Sequence, residues 1–306
     1  MKIGIIGSGG VGGFFGAKLA KSGQDVAFIQ RGAHLEAMQR NGLKVESGLG
    51  DITLPAVRAT DNPGEVGLVD VALVTVKSGQ TDEAVELTKP MMGKNTAVIT
   101  LQNGVENEHR LVEKLGEGNV LGGVAYILSL IKAPGLIQQT GPMARLEFGE
   151  LDGARSRRAL EFLEACENAS IEATLSDNIQ QNIWKKFVFL CPHNGMTSLT
   201  RSSIGSIRDD QDCRALLEGA VNEVLLLAGA KGISVGLNGS SEVMKLYDSM
   251  PHAMTSSMHY DVMNNKPLEL DWLNGAVVRL GKEVGVATPV NSFIYAALKL
   301  LKDGSA

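Results

Sequence analysis

Two periodicities alternate along the first half of this chain. Nearly continuous apolar runs at residues 2–6, 26–30, 69–76 and 96–101 have the length of strands buried on both faces, and helical patterns at 11–21, 33–40, 82–91 and 107–115 separate them. That alternation predicts a parallel sheet covered by helices on both sides. Residues 120–130, 135–139 and 145–148, punctuated by Pro134 and Gly141-Pro142, read as antiparallel additions to the sheet. A helix is expected over 156–166 and a last strand over 171–174. Beyond Ser176 only the 3.6-residue period remains, over 178–200, 212–231, 240–249, 271–284 and 291–301. The expected fold is therefore α/β, with a doubly wound sheet domain at 1–174 followed by an all-α domain at 175–306. A cleft between two such domains is a common place for a small-molecule site.

Composition narrows the classes of function. With 306 residues, 44% of them hydrophobic, the chain has ample material for two cores. A formal net charge of −5 and the absence of a basic stripe argue against a nucleic-acid partner. The longest apolar run, 120–131, is interrupted by Gly122 and Gly123 and is too short to span a bilayer, so no membrane segment is expected. Cys166, Cys191 and Cys213 are odd in number and form no CxxC pair, which suits the reduced thiols of a cytoplasmic protein. The five histidines have no spacing that makes a metal site.

The chemistry begins at the first strand. Gly7-Ser8-Gly9-Gly10-Val11-Gly12 follows an apolar run directly and opens a helical pattern. In a Rossmann dinucleotide site the first glycine allows the tight turn and the second admits the pyrophosphate. The third lets helix and strand pack closely, while the helix N-terminus faces the phosphates. The second strand ends in Gln30-Arg31, where an NAD-binding chain usually carries an acid. A guanidinium suits a 2′-phosphate, so NADPH/NADP is the expected cofactor. Lys77 and Asn103 follow two further strands, and the carboxyl ends of strands in such a sheet line the ligand crevice.

These features, taken with others in the helical half, resemble the ketopantoate reductase family over nearly the whole chain. The matching segments are the glycines from Gly7 to Gly16, Val76-Lys77, Gln102-Asn103-Gly104, Trp184-Lys185-Lys186-Phe187, Asn194, Thr255-Ser256-Ser257-Met258 with Asp261, and Glu269-Leu270-Asp271 before Asn274-Gly275. The resemblance implies a catalytic lysine at Lys186, not at Lys185, and an active-site glutamate at Glu269. It implies substrate contacts from Ser257 and Asn194, with Asn103 and Lys77 at the junction of cofactor and substrate. The family usually has an asparagine four residues after the lysine; this chain has Leu190, which makes the pocket drier. His193 offers a replacement polar group, and a structural histidine is the equal alternative.

Reduction of a 2-oxo acid needs a hydride on the carbonyl carbon and a proton on its oxygen. The cofactor brings the first, and an ammonium such as that of Lys186 suits the second. The expected activity is NADPH-dependent reduction of 2-dehydropantoate to pantoate, in pantothenate and coenzyme A biosynthesis, by a monomer or homodimer. Two alternatives stand beside it. One is reduction of a different 2-oxo acid, which Leu190 favours; the other is a non-catalytic sensor of the NADP redox state.

Overall fold

The computed structural model describes residues 1–304. The first elements follow the apolar periods: β1 (Lys2–Ile6), α1 (Gly10–Lys21), β2 (Asp25–Ile29) and α2 (Gly32–Asn41). A segment without long apolar runs then forms β3 (Leu43–Ser47), β4 (Ile52–Leu54) and β5 (Arg58–Thr60). The alternation resumes with β6 (Val69–Val74), α3 (Thr81–Thr88), β7 (Met92–Thr100) and α4 (Asn107–Leu115). The long hairpin β8 (Val120–Ala133) and β9 (Leu136–Glu150), α5 (Arg157–Asn168) and β10 (Glu172–Leu175) follow. All ten strands join one sheet in the order β4-β3-β9-β8-β7-β6-β1-β2-β5, with β10 beside β9.

Neighbours of β1 run parallel to it, with Ile5 opposite both Phe28 and Leu73. Those residues are wholly buried, as strands covered on both faces require. The strand order reverses between β1 and β6, and in open sheets of this kind ligands bind outside the carboxyl ends of the strands at such a switch point. Two expected strands, 135–139 and 145–148, are one strand in the structure. Gly141, at φ +78°, and its neighbours bulge out where the register slips from Ile127↔Ala144 to Leu128↔Thr140. A bulge absorbs the extra residues and keeps the ladder going on both sides.

The second half is all helix: α6 (Ile179–Thr200), α7 (Ile204–Asp209), α8 (Gln211–Ala230), α9 (Ser240–Ser249), α10 (Ser257–Met263), α11 (Asn274–Val284) and α12 (Pro289–Leu298). Its core gathers Trp184, Phe187, Leu217, Val224, Tyr247 and Ile294. The chain divides into two compact units, Met1–Gln102 with Glu106–Ile179, and Asn103–Val105 with Gln180–Ala306. The division thus falls at Ile179, whereas the sequence places it at 174/175. Residues after β10 remain tied to the sheet, because the Ser176 N–H donates to Phe148 O at 2.8 Å and Asp177 pairs with Arg155 at 3.3 Å. No helix among the described residues is long and apolar enough to cross a membrane.

Candidate active site

The glycine-rich turn sits between β1 and α1, and each of its glycines has its own steric reason. Gly7 has φ +91°, and a Cβ there would stand 2.5 Å from the Val76 side chain. A Cβ on Gly12 would lie 2.3 Å from Thr75 Oγ1 and 2.5 Å from the Gly7 carbonyl, so helix and strand close only over a bare Cα. Gly9 is different, since an added Cβ would meet nothing within 4 Å. That open face is what a pyrophosphate needs for close approach to backbone, so the residues present fit a dinucleotide. Gly10 has a packing role that its place in the motif did not suggest: its Cβ would strike the Ser129 carbonyl at 2.3 Å. Val11 is partly buried behind it in the first turn of α1.

Two residues that carried no expected role hold this turn. Thr75 donates its hydroxyl to Gly7 O at 2.7 Å. His34, buried on α2, reaches Ser8 O at 3.1 Å through Nε2. Ser8 itself is fully buried and its hydroxyl turns to Ile29 O at 3.4 Å. Arg31 follows β2 at an exposed position and pairs with Glu83 of α3. Lys77 lies just past β6, where its carbonyl accepts from the Gln102 amide at 3.4 Å. That amide also donates to Thr81 Oγ1 at 3.0 Å, which ties the loop after β6 to the end of β7.

In the second unit the 22-residue helix α6 presents Lys186, Leu190, His193, Asn194 and Thr197 on one stripe at helical spacing. Lys185 is exposed; Lys186 is half-buried, and its Nζ donates to Asn103 Oδ1 at 2.8 Å. Asn103 and Lys186 are thus together. Asn194 and Ser257 also meet, but in a way that changes the part played by Asn194. Its amide is fully buried, its Oδ1 accepts from the Met258 N–H at 2.9 Å and from Ser257 Oγ at 3.3 Å, and its Nδ2 donates to Leu190 O at 2.9 Å. Asn194 therefore positions Ser257, which is itself exposed at the start of α10. Thr197 adds a second tie, 2.7 Å to Ser256 Oγ, and Ser256 caps α10.

Glu269 is buried at the entry to a short 3₁₀ turn over Leu270–Trp272. Its neighbour Asp271 is structural, holding Tyr295 at 2.8 Å and Lys302 at 2.9 Å. His193 is packed against Phe189 and Tyr247, and its Nε2 has no hydrogen-bond partner. Burial, with His259 nearby, lowers its pKa to about 4, so the ring is neutral at physiological pH. Pro192 lies inside α6 beside it, where it lacks an N–H to donate, and the Tyr247 hydroxyl donates to Phe189 O at 2.6 Å. Among the described residues no three His, Cys, Asp or Glu side chains gather as metal ligands would.

Comparison with known proteins adds the following. The family model for ketopantoate reductase PanE/ApbA matches residues 3–153, and the model for the C-terminal part of the same family matches 178–302. A 2-dehydropantoate 2-reductase of Mesorhizobium japonicum is 30% identical, over 98% of each chain. The crystal structure of 2-dehydropantoate 2-reductase from Geobacter metallireducens superposes with a TM-score of 0.91 at 30% identity, covering 98% of this chain and 99% of that one. A D-mandelate dehydrogenase solved with NADH and anilino(oxo)acetate shares the fold, with a TM-score of 0.89 at 24% identity over 99% of this chain and 98% of that one.

Proposed function

This chain belongs to the ketopantoate reductase family of oxidoreductases acting on CH–OH groups, and from that premise we propose that it reduces a 2-oxo acid to the 2-hydroxy acid with NADPH. The substrate read as default is 2-dehydropantoate and the product pantoate, as a step of pantothenate and coenzyme A biosynthesis. A cytoplasmic setting suits the three free thiols, Cys166, Cys191 and Cys213. The observation that carries the reading is the half-buried Lys186 ammonium held at 2.8 Å by Asn103.

When bound, the dinucleotide supplies the hydride. The turn from Gly7 to Gly12 would hold the pyrophosphate, Arg31, now paired with Glu83, would hold the 2′-phosphate, and Lys77 would serve the nicotinamide half. Lys186 stabilises the growing negative charge on the carbonyl oxygen and delivers a proton to it. Asn103 engages one ammonium proton, which fixes the direction of the others, and also serves the junction of cofactor and substrate. Ser257 takes the substrate carboxylate, and Asn194 sets the place of Ser257. Glu269, buried in the same unit, completes the catalytic set by holding the ammonium or tuning its acidity.

Leu190 supports a second reading, reduction of a 2-oxo acid with a larger apolar side chain. It stands one turn beyond Lys186 on the same stripe and offers no hydrogen bond to a hydroxylated substrate. A panel of 2-oxo acids, followed by loss of NADPH or NADH absorbance, separates the two readings. Highest kcat/KM for 2-dehydropantoate with NADPH supports the first, and a preference for phenyl or long-chain 2-oxo acids supports the second. Preference for NADH would overturn the part assigned to Arg31.

A further inference from the structure

We propose that His34 is a positioning residue for the dinucleotide, fixing the plane of the Ser8–Gly9 peptide and so aiming the Gly9 N–H. The proposal rests on the dinucleotide reading of the glycine-rich turn. His34 Nδ1 accepts the Gly135 N–H at 2.9 Å. A backbone N–H only donates and a carbonyl only accepts, so the neutral ring carries its proton on Nε2 and gives it to Ser8 O at 3.1 Å. Burial lowers the pKa of the ring, which favours this neutral form, although the bond to Ser8 opposes the shift.

The consequence follows from the geometry of the peptide group. In a planar trans peptide the carbonyl of one residue and the N–H of the next point in opposite directions, and the structure contains no cis peptide among its described residues. Holding Ser8 O towards α2 therefore turns the Gly9 N–H away from α2. The other side of Ser8 is held as well, by its N–H to Ile29 O at 3.4 Å. Around Gly9 the turn is open, and backbone N–H groups at such a place are the donors that meet an anion.

The anchor beyond His34 is firm. Gly135 lies in the Pro134-Gly135 turn of the β8–β9 hairpin with φ +76°, and its carbonyl accepts from the Lys44 N–H at 2.9 Å. The same hairpin supports α1 directly, since a Cβ on Gly13 would meet Ile137 at 2.8 Å. Through one imidazole, the turn, α2 and the hairpin form a single hydrogen-bonded assembly.

The test compares wild type with His34→Ala and His34→Gln, the glutamine amide offering one acceptor and one donor. Dissociation constants are measured by titration for NADPH and for adenosine 2′-monophosphate, which has the 2′-phosphate but no pyrophosphate. The alanine variant is expected to bind NADPH about tenfold more weakly, as loss of one well-placed hydrogen bond implies, with affinity for adenosine 2′-monophosphate unchanged. Glutamine restores most of the NADPH affinity. If the alanine variant does not fold, His34→Phe replaces it, keeping a ring of similar volume without either hydrogen bond. Unchanged NADPH affinity, an equal weakening of both ligands, or a glutamine variant as weak as alanine would each overturn the proposal. Failure of the wild-type chain to bind NADPH would instead overturn the dinucleotide reading beneath it.

Discussion

Asn194 and Lys186 lie on one stripe of α6, two turns apart, and they behave differently. The lysine points its charge at a neighbour's amide oxygen, while the asparagine satisfies a backbone N–H, a serine hydroxyl and a helix carbonyl. Asn194→Ala leaves the Met258 N–H unpaired in a buried place and frees Ser257, so KM for the 2-oxo acid rises about tenfold while KM for NADPH stays put. Steady-state kinetics with each substrate varied in turn checks this, and an equal rise in both would contradict it. At this scale the sequence carried the residue types but not their partners. Helical spacing alone does not separate Lys185 from Lys186, and only the fold exposes one and half-buries the other. His34 left no motif at all, because its partners are backbone atoms of residues 26 and 101 positions away.

Whole elements were more legible where apolar runs are continuous. The parallel strands β1, β2, β6 and β7 bury both faces, and that requirement is written in consecutive Val, Ile and Leu. The strands β3, β4 and β5 escaped notice since short pieces at the flanks of a sheet alternate, as in Leu43 and Val45 inside against Lys44 and Glu46 outside. The turn between β1 and α1 separates two functions of glycine that the motif merges. Gly12→Ala forces a Cβ against Thr75 and Gly7 and destabilises by about 1–3 kcal/mol, read as a lowered Tm. Gly9→Ala leaves Tm unchanged, because its Cβ enters open space, yet weakens NADPH binding by about tenfold or more.

Helix α4 supplies a pH effect. Glu108 is buried in its first turn, and burial pushes its carboxyl up to about 7, against the opposing pull of N–H bonds from Gly123 and from its own backbone. The folded chain thus holds this proton more tightly than the unfolded chain, whose carboxyl titrates near 4.5. Stability from this group is present below that lower value and falls as pH rises through 7, by on the order of 3 kcal/mol in all. Glu108→Gln removes the slope. In melting experiments the variant should match wild type near pH 4 and exceed it at pH 8; parallel curves would contradict the assignment.

At the scale of the molecule, two units each carry a core of their own, and the proposed function draws on residues of both. The sheet unit has a turn open at Gly9, and the helical unit has the Lys186 ammonium held by Asn103 and the Ser257 hydroxyl held by Asn194. Neither half alone distinguishes an enzyme from a protein that merely reads the NADP pool; both together call for turnover. The direct measurement is a single-turnover one. NADPH-loaded wild type and Lys186→Ala are mixed with 2-dehydropantoate and with the 2-oxo acid preferred in the panel, and NADPH absorbance is followed. Wild type should oxidise its cofactor as the 2-hydroxy acid forms, and the variant, still binding NADPH, should do so about 10²–10⁴-fold more slowly. Less than about a tenfold loss would remove Lys186 from the chemistry, and a wild type that binds NADPH but oxidises it with no 2-oxo acid would contradict the reductase itself.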